Sequence, residues 1–176
     1  ILKEMRAAVY FKYGSPEVLQ VKQVEKPIPN KNEILIRIEA TAVNSGDLRL
    51  RKADPFAVRF IFGLFKPKIN ILGSVFSGEV ESVGNDVTNF KIGDAVFGHT
   101  DMRFGAYAEY KSMPQSGSLA LKPAGFTHAQ AAAIPFGGVT AWHFIKKANI
   151  KPGQKVLIVG ASGAVGSAAV QLAKSL

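Results

Sequence analysis

The chain has 176 residues, 47% apolar and 20% charged, which is material for one domain plus part of a second around a buried core. It has no cysteine, which excludes disulfides and thiolate zinc sites, and no apolar run approaches the roughly 20 residues of a membrane helix. The net charge of +9 raises the possibility of a nucleic-acid surface. Yet the basic residues (among them Lys22, Lys26, Arg37, Lys91 and Lys111) are scattered between apolar strand positions, so they read as solvated strand faces. The N-terminal residues lack the long apolar region of a signal peptide, Met5 reads as a natural start, and a cytoplasmic location is expected.

In chain order, Arg6–Phe11 reads as a strand and Tyr13-Gly14-Ser15-Pro16 as a turn. Val18–Glu25 alternates imperfectly and ends before Pro27 and Pro29. Glu33–Val43 is the longest β pattern, with Ile34, Ile36 and Ile38 facing one way and Glu33, Leu35, Arg37 and Glu39 the other. Asn44-Ser45-Gly46-Asp47 interrupts it, and a short helical turn follows, capped by Ser45 or Asp47. The Asp47 carboxylate is expected to cap that turn or to hold Arg49 or Arg51. Between Asp54 and Pro67 the side chains of Phe56, Phe60, Ile61, Phe62, Leu64 and Phe65 crowd together. A buried loop or short helix is one reading, and a mobile apolar wall over a substrate cleft is the other.

Ile71–Val83 carries Gly73 and Gly78 among β-formers and predicts a bent or bulged strand. Val87–Gly98 reads as a hairpin with Gly93-Asp94 at or just past its tip, and Gly105–Lys111 and Leu119–Pro123 read as two further strands. From Met5 to about Pro123 the chain is therefore a mostly β unit, a partly closed barrel.

The pattern changes after Pro123. Thr127 caps an alanine-rich helix through Ile134, Gly137-Gly138 breaks it, and a second helix runs from about Val139 to Ala148. Val156–Val159 is a continuous run of β-formers, which predicts a strand buried on both faces. Ala164–Leu176 then places Val165, Ala169, Leu172 and Leu176 at helical spacing. The switch from antiparallel β to alternating α and β divides the chain into residues 1–124 and 125–176.

Strand, glycine turn and helix form the setting in which Gly160-Ala161-Ser162-Gly163-Ala164-Val165-Gly166 can hold a dinucleotide. Gly163 lets backbone approach a pyrophosphate, and Gly166 lets the helix pack on its strand. Ala161 stands where the G-x-G-x-x-G pattern has its first glycine, and the other reading is an ordinary βα turn. No Gly-Lys-Ser/Thr follows, which excludes a P-loop. The residue that reads the adenosine ribose is expected about 20 residues further on, past Leu176.

A set of motifs in one order resembles the medium-chain dehydrogenase/reductase superfamily. They are Gly14-Ser-Pro-Glu-Val-Leu19, Ala42-Val-Asn-Ser-Gly-Asp-Leu48, Leu72-Gly-Ser-Val-Phe-Ser-Gly-Glu-Val-Glu-Ser-Val-Gly84, Phe90-Lys-Ile-Gly-Asp94, Gly105-Ala-Tyr-Ala-Glu-Tyr110, Ala131-Ala-Ala-Ile-Pro135, Thr140-Ala-Trp142 and the Gly160–Gly166 turn. Within it the chain looks most like the quinone oxidoreductase branch, whose members reduce quinones or α,β-unsaturated carbonyls with NADPH. The resemblance implies a GroES-like catalytic domain that lacks its returning C-terminal strands, followed by the first strand and helix of a truncated Rossmann domain.

It also implies that Asn44 and Thr140 lie against the nicotinamide and its ribose. Turn chemistry is the other reading for Asn44, and a helix-start hydroxyl for Thr140. Ala161, Ser162, Gly163, Ala164, Val165 and Gly166 would wrap the pyrophosphate, and Phe56, Phe60, Phe62 and Phe65 would line the acceptor pocket. The cofactor implied is NADPH, with NAD left open. Zinc-dependent relatives place Cys where this chain has Asn44, a His-Glu pair at Ser74-Val75 and a Cys near Phe136, so no zinc is expected. His99, His128 and His143 have no ligand spacing and read as satisfied or exposed histidines. No catalytic acid/base pair stands out. The expected partner is a small apolar electrophile, the whole protein is expected to be a homodimer without membrane or nucleic-acid partners, and these 176 residues alone are expected to be inactive. The alternative is a non-catalytic module that docks a protein or nucleic acid on its basic barrel surface.

Overall fold

Alternation of Met5, Ala7 and Val9 with Glu4 and Arg6 makes strand β1 (Glu4–Val9) one-sided, its apolar positions buried and its charged ones exposed. The structure, a computed structural model, describes residues 3–176. After a 3₁₀ turn at Pro16–Val18, β1 pairs antiparallel with β2 (Gln20–Glu25). The remaining strands are β3 (Glu33–Ala40), β4 (Val75–Val83), β5 (Ala95–His99), β6 (Tyr110–Pro114) and β7 (Leu119–Leu121). They form an antiparallel sheet in the order β6-β3-β4-β5-β7. Single bridges from Ala7 to Ala108 and from Val9 to Ile71 stitch the β1–β2 hairpin to the rest.

The helices are α1 (Ser45–Lys52), α2 (Val58–Phe62), α3 (His128–Ala148) and α4 (Ala164–Lys174). The chain separates into a first compact unit ending at Ala132 and a second from Ala133 to Leu176. Among the described residues no helix is long and apolar enough to cross a membrane.

One core of the first unit gathers Ile34 and Ile36 of β3, Phe76 and Val80 of β4, Val96 of β5, Met113 of β6, and Ala106 on the approach to β6. A second joins Tyr10, Val18, Leu50, Leu72 and Phe104, and so ties α1 to the loops around it. Burying each large side chain contributes roughly 1.5–3 kcal/mol.

Strict alternation in β3 fails, because Leu35 is buried and Ile38 is only partly covered. Register shifts between Leu35 and Ile36 and between Ile38 and Ala40 break the two-residue period of the β3–β4 ladder. The expected Val87–Gly98 hairpin is instead the connection from β4 to β5. Val87 and Phe90 pack against the core rather than pairing, and Gly93-Asp94 immediately precedes β5. The strand expected from Gly105 starts at Tyr110, since residues 105–107 bond to Leu72 and Gly73 instead.

Several basic residues on and beside the strands have carboxylate partners. Arg6 pairs with Glu109, Lys26 with Glu81, and Arg37 with Glu39 and Glu79. Such pairs spend part of the positive charge locally and contribute little stability.

Two expectations for the second half are corrected. Thr127 does cap the helix, by a reciprocal pair of bonds with Gln130 (Thr127 N to Oε1 2.9 Å, Gln130 N to Oγ1 3.2 Å). Gly137-Gly138 does not break it, and α3 is continuous through Pro135 as well. Glycine at 137 is a matter of clearance: a β-carbon there would lie 2.4 Å from the carbonyl oxygen of Ala164 at the start of α4. The residues Val156–Val159 form no strand and are not buried, with Leu157 89% and Val159 88% exposed. A strand is defined by its ladder, and no other strand among the described residues lies beside this segment.

Core and surface should separate cleanly on mutation. Phe76→Ala is expected to lower the unfolding free energy by about 3–5 kcal/mol in urea titrations. Ile92→Ala, at a site 65% exposed, should stay within about 0.5 kcal/mol of the parent.

Candidate functional site

Asn44 follows β3 in extended conformation (φ −124°, ψ 172°) and is the N-cap of α1, where the sequence pointed to Ser45 or Asp47. Ser45 is already helical, so the last extended residue has the cap. The Asn44 Oδ1 accepts from the Gly46 N–H at 2.9 Å and the Asp47 N–H at 3.3 Å. Asp47 completes the capping box by accepting from the Asn44 N–H at 3.2 Å.

Asp47 is 3% exposed, and its carboxylate takes two more donors. Oδ1 accepts from the Gly73 N–H at 3.0 Å, and Oδ2 from the Tyr107 hydroxyl at 2.8 Å. Three donors compensate a buried charge that would otherwise be costly. Neither Arg49 nor Arg51 is its partner. Arg51 is buried elsewhere, donating to the Gly14 carbonyl, while its own carbonyl accepts from the Gly14 N–H at 3.0 Å. Burial and then the Asp47 bond raise the Tyr107 phenol well above its ordinary value. Burial, with Tyr13 and Asp47 adding, pushes Tyr10 up to about 12.

The Asp47–Gly73 bond brings the start of β4 to the start of α1. Gly73 has φ +96°, a conformation L side chains rarely adopt, and a β-carbon there would come within 2.7–2.9 Å of Tyr107 and Ala106. Next to it, Ser74 is 5% exposed, and its Oγ accepts from the Asn44 Nδ2 at 2.7 Å. Gly73 and Tyr107 carried no signal as site residues, because only the fold joins positions some 30 and 60 residues from Asn44, while Ser74 was marked only by the resemblance, as a position where zinc-dependent relatives have a ligand. The turn formed by Gly73 in a run of β-formers was the one available hint.

The four aromatic positions lie on or beside α2, which is the short helix anticipated as one reading, but it is not buried. Phe56, Phe60 and Phe65 are 60%, 72% and 88% exposed. Phe56 and Phe60 meet edge to face at 6.0 Å, and Phe62 turns inward against Phe104 at 5.9 Å. The segment is tethered by the Tyr13 hydroxyl, which donates to the Gly63 carbonyl at 2.8 Å, and by Arg59, stacked over Tyr13 at 4.8 Å and Phe56 at 5.2 Å.

Thr140 and residues 161–166 belong to the second unit. Thr140 sits mid-helix rather than at a helix start, and its hydroxyl donates to the Phe136 carbonyl at 2.9 Å. Gly163 caps α4, and among the described residues the first-turn N–H groups of Ala164, Val165 and Gly166 find no backbone acceptor. These are the groups a helix start offers to an anion. Gly166 is dictated by packing, since a β-carbon there would lie 2.1 Å from the Gly160 carbonyl oxygen. Gly163 is not: its β-carbon would meet nothing closer than 3.6 Å. The fold alone does not ask for glycine at 163, whereas close approach of a phosphate does, so this loop fits a dinucleotide.

The three histidines take ordinary roles. His128 Nδ1 lies 2.8 Å from the Ser77 hydroxyl, His99 Nδ1 accepts from the Asp101 N–H at 2.8 Å, and His143 packs edge to face on Phe144. Among the described residues no cluster of three or more His, Cys, Asp or Glu could hold a metal.

Residues 30–124, more than half of the chain, match the model of the alcohol dehydrogenase GroES-like domain. The chain belongs to the alcohol dehydrogenase GroES-like family. Its relatives place it in the medium-chain dehydrogenase/reductase superfamily, as the motifs indicated. It is 34% identical to a 2-methylene-furan-3-one reductase of Solanum lycopersicum over 99% of this chain and 45% of that protein. The quinone oxidoreductase structure from Coxiella burnetii superposes with TM-score 0.87 at 35% identity, covering 98% of this chain and 54% of that one. A cobalt- and zinc-bound alcohol dehydrogenase from Pyrobaculum aerophilum superposes with TM-score 0.79 at 32% identity, over 98% and 57% of the two chains. The chain thus spans about half the length of the curated relatives it matches.

Asp47→Ala removes an acceptor from the Tyr107 hydroxyl and the Gly73 N–H together. Urea unfolding should show a loss of about 2–4 kcal/mol, against about 1 kcal/mol for Tyr107→Phe, which orphans less. For Tyr10, unfolded at 10 and folded at about 12, the unfolded chain releases its proton first as pH rises. Stability present below pH 10 should therefore fall toward pH 12, and in urea titrations across that range Tyr10→Phe should flatten the fall by about 1.4 kcal/mol per pH unit.

Proposed function

We propose that the whole protein is a zinc-independent reductase that uses NADPH to reduce quinones or α,β-unsaturated carbonyls, with a small apolar electrophile as its substrate. The observation that carries this reading is the bond from Asn44 Nδ2 to Ser74 Oγ, 2.7 Å long. By resemblance, these are two of the positions where zinc alcohol dehydrogenases put Cys and His. A carboxamide and a hydroxyl already bonded to each other do not fit a zinc ion, which takes thiolate, imidazole or carboxylate donors. The names of the relatives, an enone reductase and a quinone oxidoreductase, support the substrate class.

An enone or quinone needs less activation than an alcohol, because the carbon that receives hydride is already electrophilic. When bound, the reduced nicotinamide supplies that hydride. The chain's own work is placement and exclusion of water. Gly163 and the free N–H groups at the start of α4 would receive the pyrophosphate, with Ala161, Ser162, Ala164 and Val165 flanking it. Thr140 would face the ribose, and Asn44 the nicotinamide. Phe56, Phe60 and Phe65 would cover the acceptor. Residues 125–176 are read as linking helices and the first βα unit of the nucleotide-binding domain, and we place the protein in the cytoplasm as a homodimer. The alternative, a binding module acting through a basic barrel surface, draws on the net charge of +9, but Arg6, Lys26 and Arg37 each have a carboxylate partner, which weakens it.

The test measures NADPH affinity by calorimetry and NADPH oxidation with cyclohexenone and a benzoquinone in the whole protein. Gly163→Val should weaken NADPH binding at least about tenfold while lowering the melting temperature only slightly through the poorer N-cap, because its β-carbon enters space the cofactor needs and meets no protein atom closer than 3.6 Å. Chelators should leave turnover unchanged. Metal-dependent turnover, or no nucleotide binding by the parent, would reject the proposal.

A further inference from the structure

The Ser74 hydroxyl has a proton that nothing in the fold receives. Asn44 Oδ1 is occupied by two backbone N–H groups, at 2.9 and 3.3 Å, which fixes the orientation of the carboxamide. Its Nδ2, which can only donate, must therefore face Ser74 Oγ. Ser74 is the acceptor in that bond, so its own O–H points elsewhere. Among the described residues no carbonyl, carboxylate or other acceptor meets it. The residue is 5% exposed, and an unmet donor at such a place is unfavourable until something accepts from it.

The donor is also held still. The Ser74 carbonyl accepts from the Thr100 N–H at 2.7 Å, and Thr100 is fully buried. Gly73 is fixed on one side by Asp47 and on the other by Ala106, whose N–H donates to the Gly73 carbonyl at 3.1 Å. On the strand-to-helix turn beside Asn44, Val43 and Leu48 are 82% and 44% exposed. A fixed donor beside apolar surface suits a ligand with a carbonyl oxygen on an apolar body.

We propose that the Ser74 hydroxyl donates a hydrogen bond to the carbonyl oxygen of the quinone or α,β-unsaturated ketone, with Asn44 and Asp47 as the residues that position it. The inference rests on the reductase reading above. Hydride addition from reduced nicotinamide to an enone forms a C–H bond at the β-carbon and breaks the C=C π bond. The displaced electron pair moves through to the carbonyl oxygen, giving an enolate. The Ser74 O–H keeps its proton and stabilises that oxygen as its charge grows, and water then supplies the proton that completes the reduced product.

The test compares Ser74→Ala and Ser74→Thr in the whole protein. Infrared difference spectra of carbonyl-labelled cyclohexenone, bound without cofactor, report the hydrogen bond directly. NADPH-driven turnover reports its consequence. The parent and Ser74→Thr should lower the carbonyl stretch of the bound ketone, and Ser74→Ala should not. Turnover in Ser74→Ala should fall roughly a hundredfold, mainly in kcat, while Ser74→Thr stays within a few-fold of the parent. A Ser74→Ala protein with the parent's spectrum or the parent's kcat overturns the assignment and leaves the reductase reading intact. A parent that turns over neither enone nor quinone rejects the reductase reading itself. The spectrum then decides Ser74 alone: a shift lost in Ser74→Ala supports it, and no shift in the parent overturns it.

Discussion

One buried carboxylate organises the first unit. Asp47 lies where three segments distant in sequence converge: the end of β3 through the Asn44 N–H, the approach to β4 through Gly73, and the approach to β6 through the Tyr107 hydroxyl. A buried anion is tolerated only where its donors are all in place, so the three segments are interdependent. The same carboxylate closes the capping box that starts α1. Loss of any one donor therefore disturbs the cap, the turn and the strand entry together, which explains why these neighbours are a polar asparagine, a positive-φ glycine and a tyrosine rather than a generic apolar set.

Much of this fold was legible because its signals are local. Alternation in β1 and β3, the breaker at Asn44–Asp47, the Thr127 cap and the helix after Gly163 each depend on residues within one or two turns of one another. The failures share a different cause. Leu35 is buried through a register shift, and Val87 and Phe90 fill a core instead of a hairpin. Gly137 reads as a helix breaker until Ala164 is seen against it. The apolar run Val156–Val159 names a strand, but a strand also needs a partner, and local sequence carries no information about one.

The candidate site divides along the same line. The Ala161–Gly166 turn could be picked out by pattern, since a glycine turn before a helix is a local feature, whereas Asn44 read locally as turn chemistry and as a site residue only by resemblance. Ser74 has no distinguishing spacing, as a serine in a strand entry, and was marked only by the resemblance, as a zinc-ligand position of relatives. Its importance comes from the side chain it meets and from the acceptor it lacks. Gly163 and Gly166 look alike in sequence, yet only clearance separates them: Gly166 answers to the carbonyl of Gly160, and Gly163 to nothing within the chain.

The polar and apolar halves of the site in the first unit also differ in how firmly they are held. Asn44 and Ser74 are fixed by bonds to each other and to backbone. The aromatic segment has no buried residue in α2 and is held by the Tyr13 hydroxyl, a stacked guanidinium and the inward packing of Val58 and Phe62 on the second core. A reductase of quinones and enones needs that division. The carbonyl oxygen is the one feature all such acceptors share, and it must meet a donor whose position does not change, because the stabilisation it receives depends on geometry set beforehand. The apolar bodies differ in size and shape, so the wall that covers them has to yield. On the reading proposed above, a rigid donor at Ser74 would give precision at the reacting end of the acceptor, and an exposed aromatic segment would give latitude at the other.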